Sequence, residues 1–418
     1  MHRSGLIAHN IRKEVRRIDF FLEPHLKDPE HLSQSIEDAV QLLAAPSKLS
    51  SKIAYVHSGG KSVARATDHA STIALRMLNR GLYDKHRLPG NRDDIVLALK
   101  AVISEQVPFL IIKLDVKSFY ESFTADYILN HLVDSRTISS STRIAIKSII
   151  DKHVVLGNSG LPRGLVISPT LADSMMREFD AQLHSNPKVF FYRRFVDDIV
   201  VVMNSGANSS VSISEFETLL PNGLQFKETK KTALAFEKCK PRENATGKET
   251  KFLSFNYLGY AFHCANADHN YRADQTRDVW LDIAESKITR IKTRLMKSYV
   301  DFIRTSDFDL LERRVRHLTS NISLRDRSKG ITRLSGIHFN YPLIDLEKSK
   351  ALPELDRFLR NTLHSTKGRI FSKLSSKLST SQRAQLLRHS FYSGARFKRF
   401  YQFNPKELAR IQRCWKHE

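Results

Sequence analysis

The sequence FVDDIVVV, residues 195–202, places two adjacent carboxylates between strongly apolar residues. The apolar runs on either side predict two strands, 189–197 and 199–203, that meet at Asp197-Asp198. Two buried carboxylates are costly unless a cation neutralises them, whereas an exposed pair is typical of a hairpin turn. The stretch therefore predicts a strand-turn-strand unit whose turn is either a plain solvent-facing turn or a cation site.

A third carboxylate stands in a matching context. Residues 109–114 read FLIIKL and predict a buried strand that ends at Asp115. A strand-end Asp and an Asp pair in a turn can hold two hard divalent cations, and Mg²⁺ prefers carboxylate plus phosphate oxygens. Asp115, Asp197 and Asp198 are therefore the predicted catalytic residues of a two-metal phosphoryl transfer, with two Mg²⁺ ions as cofactors and Mn²⁺ as a second candidate. Asp93-Asp94, in a polar stretch before a helix, predicts helix capping instead.

Four motifs occur in an order and spacing that resemble the palm of reverse transcriptases. Residues 115–120 (DVKSFY), 160–164 (GLPRG) with Ser168-Pro169, 195–198 (FVDD) and 258–260 (LGY) resemble motifs A, B, C and E. The resemblance covers about 90–262. The sequences KSFYES (residues 117–122) and LPRG (residues 161–164) are similar to those of the bacterial branch of abortive-infection and defence-associated reverse transcriptases. The resemblance implies an α+β right-hand polymerase, with a fingers–palm core of antiparallel palm sheet plus helices, and a helical, basic C-terminal thumb or extension.

The resemblance assigns roles to residues around the three carboxylates. Asp115 and Asp197 would be metal ligands, Asp198 a weaker third carboxylate, and the Val116 carbonyl a backbone ligand. Tyr120 matches the steric gate, whose ring would collide with a 2′-hydroxyl. Its alternative role is that of a core aromatic under the strand.

The remaining predicted nucleotide and primer contacts also come from the resemblance. Gly164 and Ser168 would let the backbone approach template and nucleotide closely. Two positions depart from the family pattern, because Arg163 stands where many members have Gln, and Phe195 where Tyr is usual; an arginine at 163 can contact phosphate instead. Arg92 is predicted to contact the triphosphate, and Leu258, Gly259 and Tyr260 to form the primer grip. Lys231 is predicted to be the motif D proton donor, and its alternative role is as one of a solvated charge pair.

The formal net charge of +23 is spread unevenly. Residues 1–260 hold 35 Lys and Arg against 28 Asp and Glu, 261–418 hold 32 against 16, and 357–418 alone hold 15 against 2. An excess of this size predicts a nucleic-acid partner for the C-terminal third. In the stretch SGARFKRFYQF, residues 393–403, the nucleic-acid-binding candidates are Arg396, Lys398, Arg399 and Tyr401. The alternative is an amphipathic helix whose aromatic side chains face the core.

Local patterns predict the elements and their grouping. Residues 1–105 are expected to be an N-terminal helical region and fingers, 106–265 a palm, 266–356 a helical thumb and 357–418 a basic helical extension. Ser168 is expected to cap a helix that has Pro169 at its first position. Further expectations are a strand at 224–227, a single strand at 252–262 with Gly259 inside it, helix from about 275, and a capped helix start at 404–407 (NPKE).

Composition excludes other classes of protein. No run approaches the roughly 18 apolar residues of a membrane span. Residues 1–27 lack the apolar core of a secretory signal, and the three cysteines are too far apart for a disulfide framework or a zinc knuckle. These features predict a cytoplasmic protein with no membrane partner.

The predicted function is that of an RNA-directed DNA polymerase, a nucleotidyltransferase. The resemblance implies bacterial antiphage defence as its setting, a dedicated non-coding RNA as template, and DNA product and dNTPs as further partners. Alternatives are template-independent or protein-primed DNA synthesis by the same palm, an RNA-binding scaffold with a vestigial palm, and an RNA-dependent RNA polymerase, against which Tyr120 argues. The oligomeric state is not predicted.

Overall fold

The computed structural model describes residues 7–82, 91–135, 137–237, 252–265, 276–326 and 331–415. The helices are, in chain order, α1 (Ala8–Arg12), α2 (Asp19–Leu22), α3 (Pro29–Ala44), α4 (Pro46–Ser51), α5 (His69–Leu82), α6 (Arg92–Ile103), α7 (Phe119–Ser122), α8 (Ala125–Asp134), α9 (Ser140–Val155), α10 (Ile167–Met175), α11 (Arg177–Ser185), α12 (Ser209–Thr218), α13 (Glu285–Thr305), α14 (Phe308–Thr319), α15 (Ala351–His364), α16 (Arg369–Lys377), α17 (Thr380–Leu387), α18 (Phe391–Arg396) and α19 (Pro405–Gln412). Single 3₁₀ turns lie at Pro24–Lys27, Glu228–Lys230 and Arg413–Trp415.

The strands are β1 (Ile53–Ser58), β2 (Lys61–Ala66), β3 (Phe109–Asp115), β4 (Val189–Phe195), β5 (Asp198–Asn204), β6 (Thr232–Phe236), β7 (Phe252–Tyr257), β8 (Tyr260–Ala265), β9 (Val279–Ile283), β10 (Asn321–Asp326), β11 (Ile331–Gly336) and β12 (Phe400–Tyr401). The chain forms two compact units. Unit 1 is Met1–Asn91 with Pro108–Glu237, and unit 2 is Arg92–Val107 with Lys238–Glu418. Among the described residues, no helix combines the length and the apolar character needed to cross a membrane.

An antiparallel four-stranded sheet in the order β4-β5-β3-β6 organises unit 1. The two central strands are apolar along almost their whole length, and their side chains are buried on both faces of the sheet. Helix α11 packs on β4 and α12 on β3. The predicted strand ending at Asp115 and the two strands meeting at Asp197-Asp198 are therefore confirmed.

The N-terminal part of unit 1, which was expected to be a helical region, also contains two strands. Strands β1 and β2 form an antiparallel hairpin, closed by Gly59 and Gly60 with φ of +58° and +73°. Two consecutive left-handed residues are what a two-residue hairpin turn requires, and glycine adopts them without strain. The two flanking strands are too short and too polar to show a clear alternation in the sequence.

Two further expectations in unit 1 are wrong in detail. Ser168 does not cap α10, which begins at Ile167; instead its buried hydroxyl donates to the Pro162 carbonyl at 2.7 Å. Residues 224–227 do not form a regular strand, because only one bridge, Val116 with Phe226, is present there. Ser168 thus bonds the loop before α10, and residues 225–227 bond the end of β3 and the two residues after it.

Unit 2 contains a three-stranded antiparallel sheet in the order β7-β8-β9. The single strand expected at 252–262 is a hairpin whose turn residues, Leu258 and Gly259, have φ of +47° and +85°. The helix expected from about residue 275 begins only at Glu285, because residues 279–283 form β9. All five side chains of β9 are buried, Asp282 among them, and so short a strand, buried on both faces, cannot be told from a buried helix turn by periodicity.

The C-terminal helices of unit 2 share one hydrophobic core with the helices that precede them. Leu295 of α13, Leu355 of α15, Phe391 of α18 and Trp415 all belong to it and are 5% exposed or less. Residues 357–415 thus contribute to this core. Its last helix, α19, begins with the predicted capping box at Asn404. A small sheet in the order β11-β10-β12 lies within the region that the sequence had predicted to be helical.

Candidate active site

Strand register brings the three catalytic candidates together in unit 1. In the antiparallel pair β3–β5, Asp115 lies directly opposite Asp198. The Val116 amide donates to the Asp197 carbonyl at 3.1 Å, which ties the end of β3 to the hairpin turn. The three aspartates, far apart in sequence, are therefore neighbours at one edge of the sheet.

The turn between β4 and β5 is strained and anchored from behind. Val196 has a φ of +60°, a left-handed conformation that β-branched residues rarely adopt. The Arg194 guanidinium donates to the Val196 carbonyl at 3.1 Å, to both carboxylate oxygens of Asp180 at 2.9 and 2.7 Å, and to Asp173 at 3.1 Å. The Arg194 side chain is only 4% exposed. This buried ion cluster holds the turn that carries Asp197.

Replacing Arg194 by Ala should destabilise unit 1 by about 3–5 kcal/mol, because it leaves the Asp180 carboxylate buried without its partner. The measurement is urea unfolding followed by circular dichroism. Arg193→Ala is the matched control: its guanidinium donates to a backbone carbonyl and lies over the Phe191 ring, so the loss should be about 1 kcal/mol. Equal losses in the two variants would contradict the anchoring role of Arg194.

Mutual repulsion and burial change the acidity of the carboxylates. Burial, together with the charges of Asp197 and Asp115, raises the pKa of Asp198 to about 6. Burial and the charge of Asp115 also raise the pKa of Asp197 above its ordinary value. Both shifts show that burial and mutual repulsion outweigh the charge of the nearby Lys230, and a bound cation would favour the ionised carboxylates.

Among the described residues, Lys230 pairs directly with the cluster, and the sequence did not single it out over its neighbour. Its ammonium donates to Asp115 Oδ2, and that hydrogen bond raises the pKa of Lys230. Lys231, the predicted proton donor, instead pairs with Glu217 at 3.1 Å and with Glu228 at 2.6 Å. The structure thus places Lys230, and not Lys231, at the catalytic candidates.

The donor atoms suit Mg²⁺ in kind, although they do not form a complete protein cage. In the part of the chain that the structure describes, no three His, Cys, Asp or Glu side chains are arranged to hold a metal ion. Mg²⁺ commonly takes only one or two carboxylates and completes its shell with water and substrate phosphates. Asp115, Asp197 and Asp198 meet that requirement, with Lys230 occupying one oxygen of Asp115.

We expect the affinity for Mn²⁺, used as a spectroscopic probe, to rise between about pH 5 and about pH 7 and then to level off. Metal binding needs the ionised carboxylate, and the pKa of Asp198 near 6 means that a proton competes with the metal below that pH. The Mn²⁺ affinity should rise by at most about tenfold per pH unit, because one proton competes with the metal. Electron paramagnetic resonance titration measures it, with Asp198→Asn as the control that loses the pH dependence. An affinity independent of pH would contradict this assignment.

Tyr120, the predicted steric gate, belongs to a polar cluster. The Arg163 guanidinium lies 5.1 Å from the centroid of the half-buried Tyr120 ring. Glu121 accepts hydrogen bonds from Arg163 at 2.9 and 3.1 Å and lies 3.7 Å from the Lys61 ammonium. Burial alone would raise the pKa of Glu121, but the bonds from Arg163 hold it below its ordinary value. Glu121 therefore holds the Arg163 guanidinium in place over one face of the Tyr120 ring.

The motif B loop packs against the same cluster through its backbone. Gly160 and Gly164 have φ of +73° and +99°, and a Cβ on them would lie 2.1 Å from the Tyr120 carbonyl and 2.5 Å from the Ala64 carbonyl. The Leu161 amide donates to the Tyr120 carbonyl, and the Ala64 amide to the Arg163 carbonyl, both at 2.7 Å. Only glycine permits this close approach, so the loop cannot shift without moving Tyr120.

The predicted primer grip lies in unit 2 together with Arg92. Tyr260 is fully buried, and its hydroxyl donates to Asp93 at 3.2 Å. The Arg92 guanidinium lies 5.2 Å from the Tyr260 ring centroid, bonds Asp93 at 2.9 Å and donates to the Asn340 carbonyl at 2.5 Å. Arg92 therefore contacts Tyr260, the residue that directly follows the hairpin turn of Leu258 and Gly259. Triphosphate contact by Arg92 stays a prediction.

The basic C-terminal candidates surround a short turn in unit 2. Arg396, Lys398 and Arg399 are exposed, and Lys398 has a φ of +49°. Tyr401 is half-buried, with the Arg316 guanidinium 4.7 Å from its ring centroid. The more accessible aromatic side chain is that of Phe397, which is 65% exposed.

Comparison with known proteins identifies the segment that holds these motifs. Residues 67–262 match the family described as "Reverse transcriptase (RNA-dependent DNA polymerase)". This segment matches reverse transcriptases. The predicted α+β fold of a reverse transcriptase, with mixed helices and antiparallel sheets, is confirmed. The reverse transcriptase match includes Asp115, Asp197 and Asp198.

The structural comparison gives a distant similarity. A solved structure of apo telomerase from Candida tropicalis, truncated from its C-terminal domain, aligns with a TM-score of 0.29 and 14% identity. The alignment covers 46% of this chain and 43% of the telomerase chain. No curated protein sequence matches the chain.

Proposed function

We propose that the chain is an RNA-directed DNA polymerase that joins dNTPs to a primer 3′-hydroxyl, or to a protein hydroxyl, on an RNA template. The observation that carries the proposal is the register that places Asp115 against Asp198 beside the Asp197 turn, within a segment that matches reverse transcriptases. A scaffold would have no use for three carboxylates whose burial raises the pKa of two of them.

The carboxylates of Asp115, Asp197 and Asp198, with the Val116 carbonyl, would hold two divalent cations. Those ions would supply charge neutralisation at the triphosphate and a more acidic 3′-hydroxyl. Lys230 would hold a proton at its Nζ for the leaving pyrophosphate, since it is nearer the cluster than Lys231 and its hydrogen bond to Asp115 raises its pKa. The Tyr120 ring would exclude a 2′-hydroxyl.

The matched test replaces two carboxylates. Asp197→Asn with Asp198→Asn should reduce dNTP incorporation on an RNA template with a DNA primer by at least about 1,000-fold, because both oxygen ligands of the turn become neutral. Filter binding of the same RNA should stay within about twofold of wild type. The control removes two exposed carboxylates elsewhere in unit 1, Asp134→Asn with Asp151→Asn, and should keep incorporation. Retained synthesis in the first variant would contradict the proposed mechanism, and homopolymer products would favour template-independent synthesis.

We further propose that the biological setting is bacterial antiphage defence and that the template is a dedicated non-coding RNA. The support is the KSFYES and LPRG wording of motifs A and B, which is similar to the defence-associated branch. If so, the Asp197→Asn, Asp198→Asn variant should no longer reduce phage plating in a host protected by the wild type. One structured RNA should also copurify with the wild-type chain. Unchanged protection by the variant would count against this setting.

Replacing Tyr120 by Ala should raise the use of rNTPs relative to dNTPs by at least about tenfold, because the ring that would meet the 2′-hydroxyl is gone. The measurement is single-nucleotide extension with each substrate in turn. Tyr120→Phe is the matched control and should keep discrimination, since it retains the ring against Arg163. Unchanged discrimination in Tyr120→Ala would leave Tyr120 as a packing residue only.

A further inference from the structure

A surface cavity of about 570 Å³ lies between α15 and α18 of unit 2, in the segment that carries the basic excess. Arg357 and Arg360 of α15 line it, with Tyr392 of α18 on the other side. Residues three apart on a helix share a face, so the two guanidiniums reach the same space.

The cations of this cavity lack anionic partners within the described residues. Neither Arg357 nor Arg360 forms an ion pair or hydrogen bond there, and both are exposed. Asp356, which also lines the cavity, is 5% exposed, and its carboxylate already accepts from Ser390 Oγ at 2.7 Å and from the Phe391 amide at 2.6 Å. The cavity therefore presents two positive charges and an acid whose oxygens are engaged.

A third guanidinium extends the cavity towards an exposed aromatic side chain. Arg396 donates to the Tyr392 hydroxyl at 3.1 Å and lies 5.9 Å from the Phe397 ring centroid. The Arg399 guanidinium lies 6.0 Å from the same ring. Phe397 is 65% exposed between these two cations, where a base could stack on it.

We propose that this cavity binds a backbone phosphate of a single-stranded nucleic acid, with an adjacent base stacked on Phe397. Guanidiniums without partners are the groups that bind phosphate best, and an exposed aromatic ring takes an unpaired base but not one inside a duplex. The choice of nucleic acid as ligand rests on the proposed function. The site itself lies in unit 2, whereas the catalytic carboxylates lie in unit 1.

The test is fluorescence anisotropy of the full chain with labelled 20-nucleotide dT and U oligomers and with a duplex of the same length. Arg357→Gln with Arg360→Gln should weaken binding of the single strands by about tenfold or more. It should also reduce the slope of log affinity against log salt by about 0.7, the value for one phosphate contact on a single strand. Phe397→Ala should weaken single-strand binding without changing that slope.

The control removes two exposed cations that do not line the cavity, Arg369→Gln with Lys373→Gln, and should leave affinity within about threefold. The RNA and DNA arms show which strand the site prefers. Wild-type affinity in the Arg357→Gln, Arg360→Gln variant, or tighter binding of polyglutamate than of either oligomer, would overturn the inference. A failure of the proposed function gives a different result, namely retained DNA synthesis in the Asp197→Asn, Asp198→Asn variant. That variant should bind the single strands as tightly as the wild type.

Discussion

The backbone hydrogen-bond register between β3 and β5 is the constraint on which the candidate site depends. A shift by one residue would turn Asp115 to the other face of the sheet and separate it from the Asp197 turn. The register ends in a turn whose strained Val196 is held by Arg194 and its buried acidic partners. The position of the Asp197 turn at the end of the sheet therefore relies on the ion cluster of Arg194, Asp180 and Asp173.

Charge is divided between the two units in a way that fits this arrangement. Unit 1 concentrates carboxylates that repel each other, and the Lys230 ammonium bonds one of them, Asp115. In the proposed function, the same lysine would hold a proton for the leaving group. The basic excess beyond residue 260 lies in unit 2, where exposed guanidiniums such as Arg357 have no acidic partner among the described residues.

Much of the fold could be predicted because its signals are local. The apolar run before Asp115, the helix after Asn91 and the capping box at Asn404 each depend on neighbouring residues, and the structure contains all three. The predictions that were wrong concern contacts with residues outside the element in question. The hydroxyl of Ser168 bonds the Pro162 carbonyl, and β9 is a strand only because β8 lies beside it. Contacts such as these cannot be inferred from periodicity.

The central claim is that Asp115, Asp197 and Asp198 hold the metal ions of a polymerase. Its most direct test is the anomalous scattering of Mn²⁺ in crystals of the chain with an RNA template, a DNA primer and a non-reactive dNTP analogue. Manganese peaks are expected on the Asp115 and Asp197 carboxylates, with the Lys230 ammonium displaced from Asp115. Manganese bound elsewhere, or Lys230 still seated on Asp115 with nucleotide present, would contradict it.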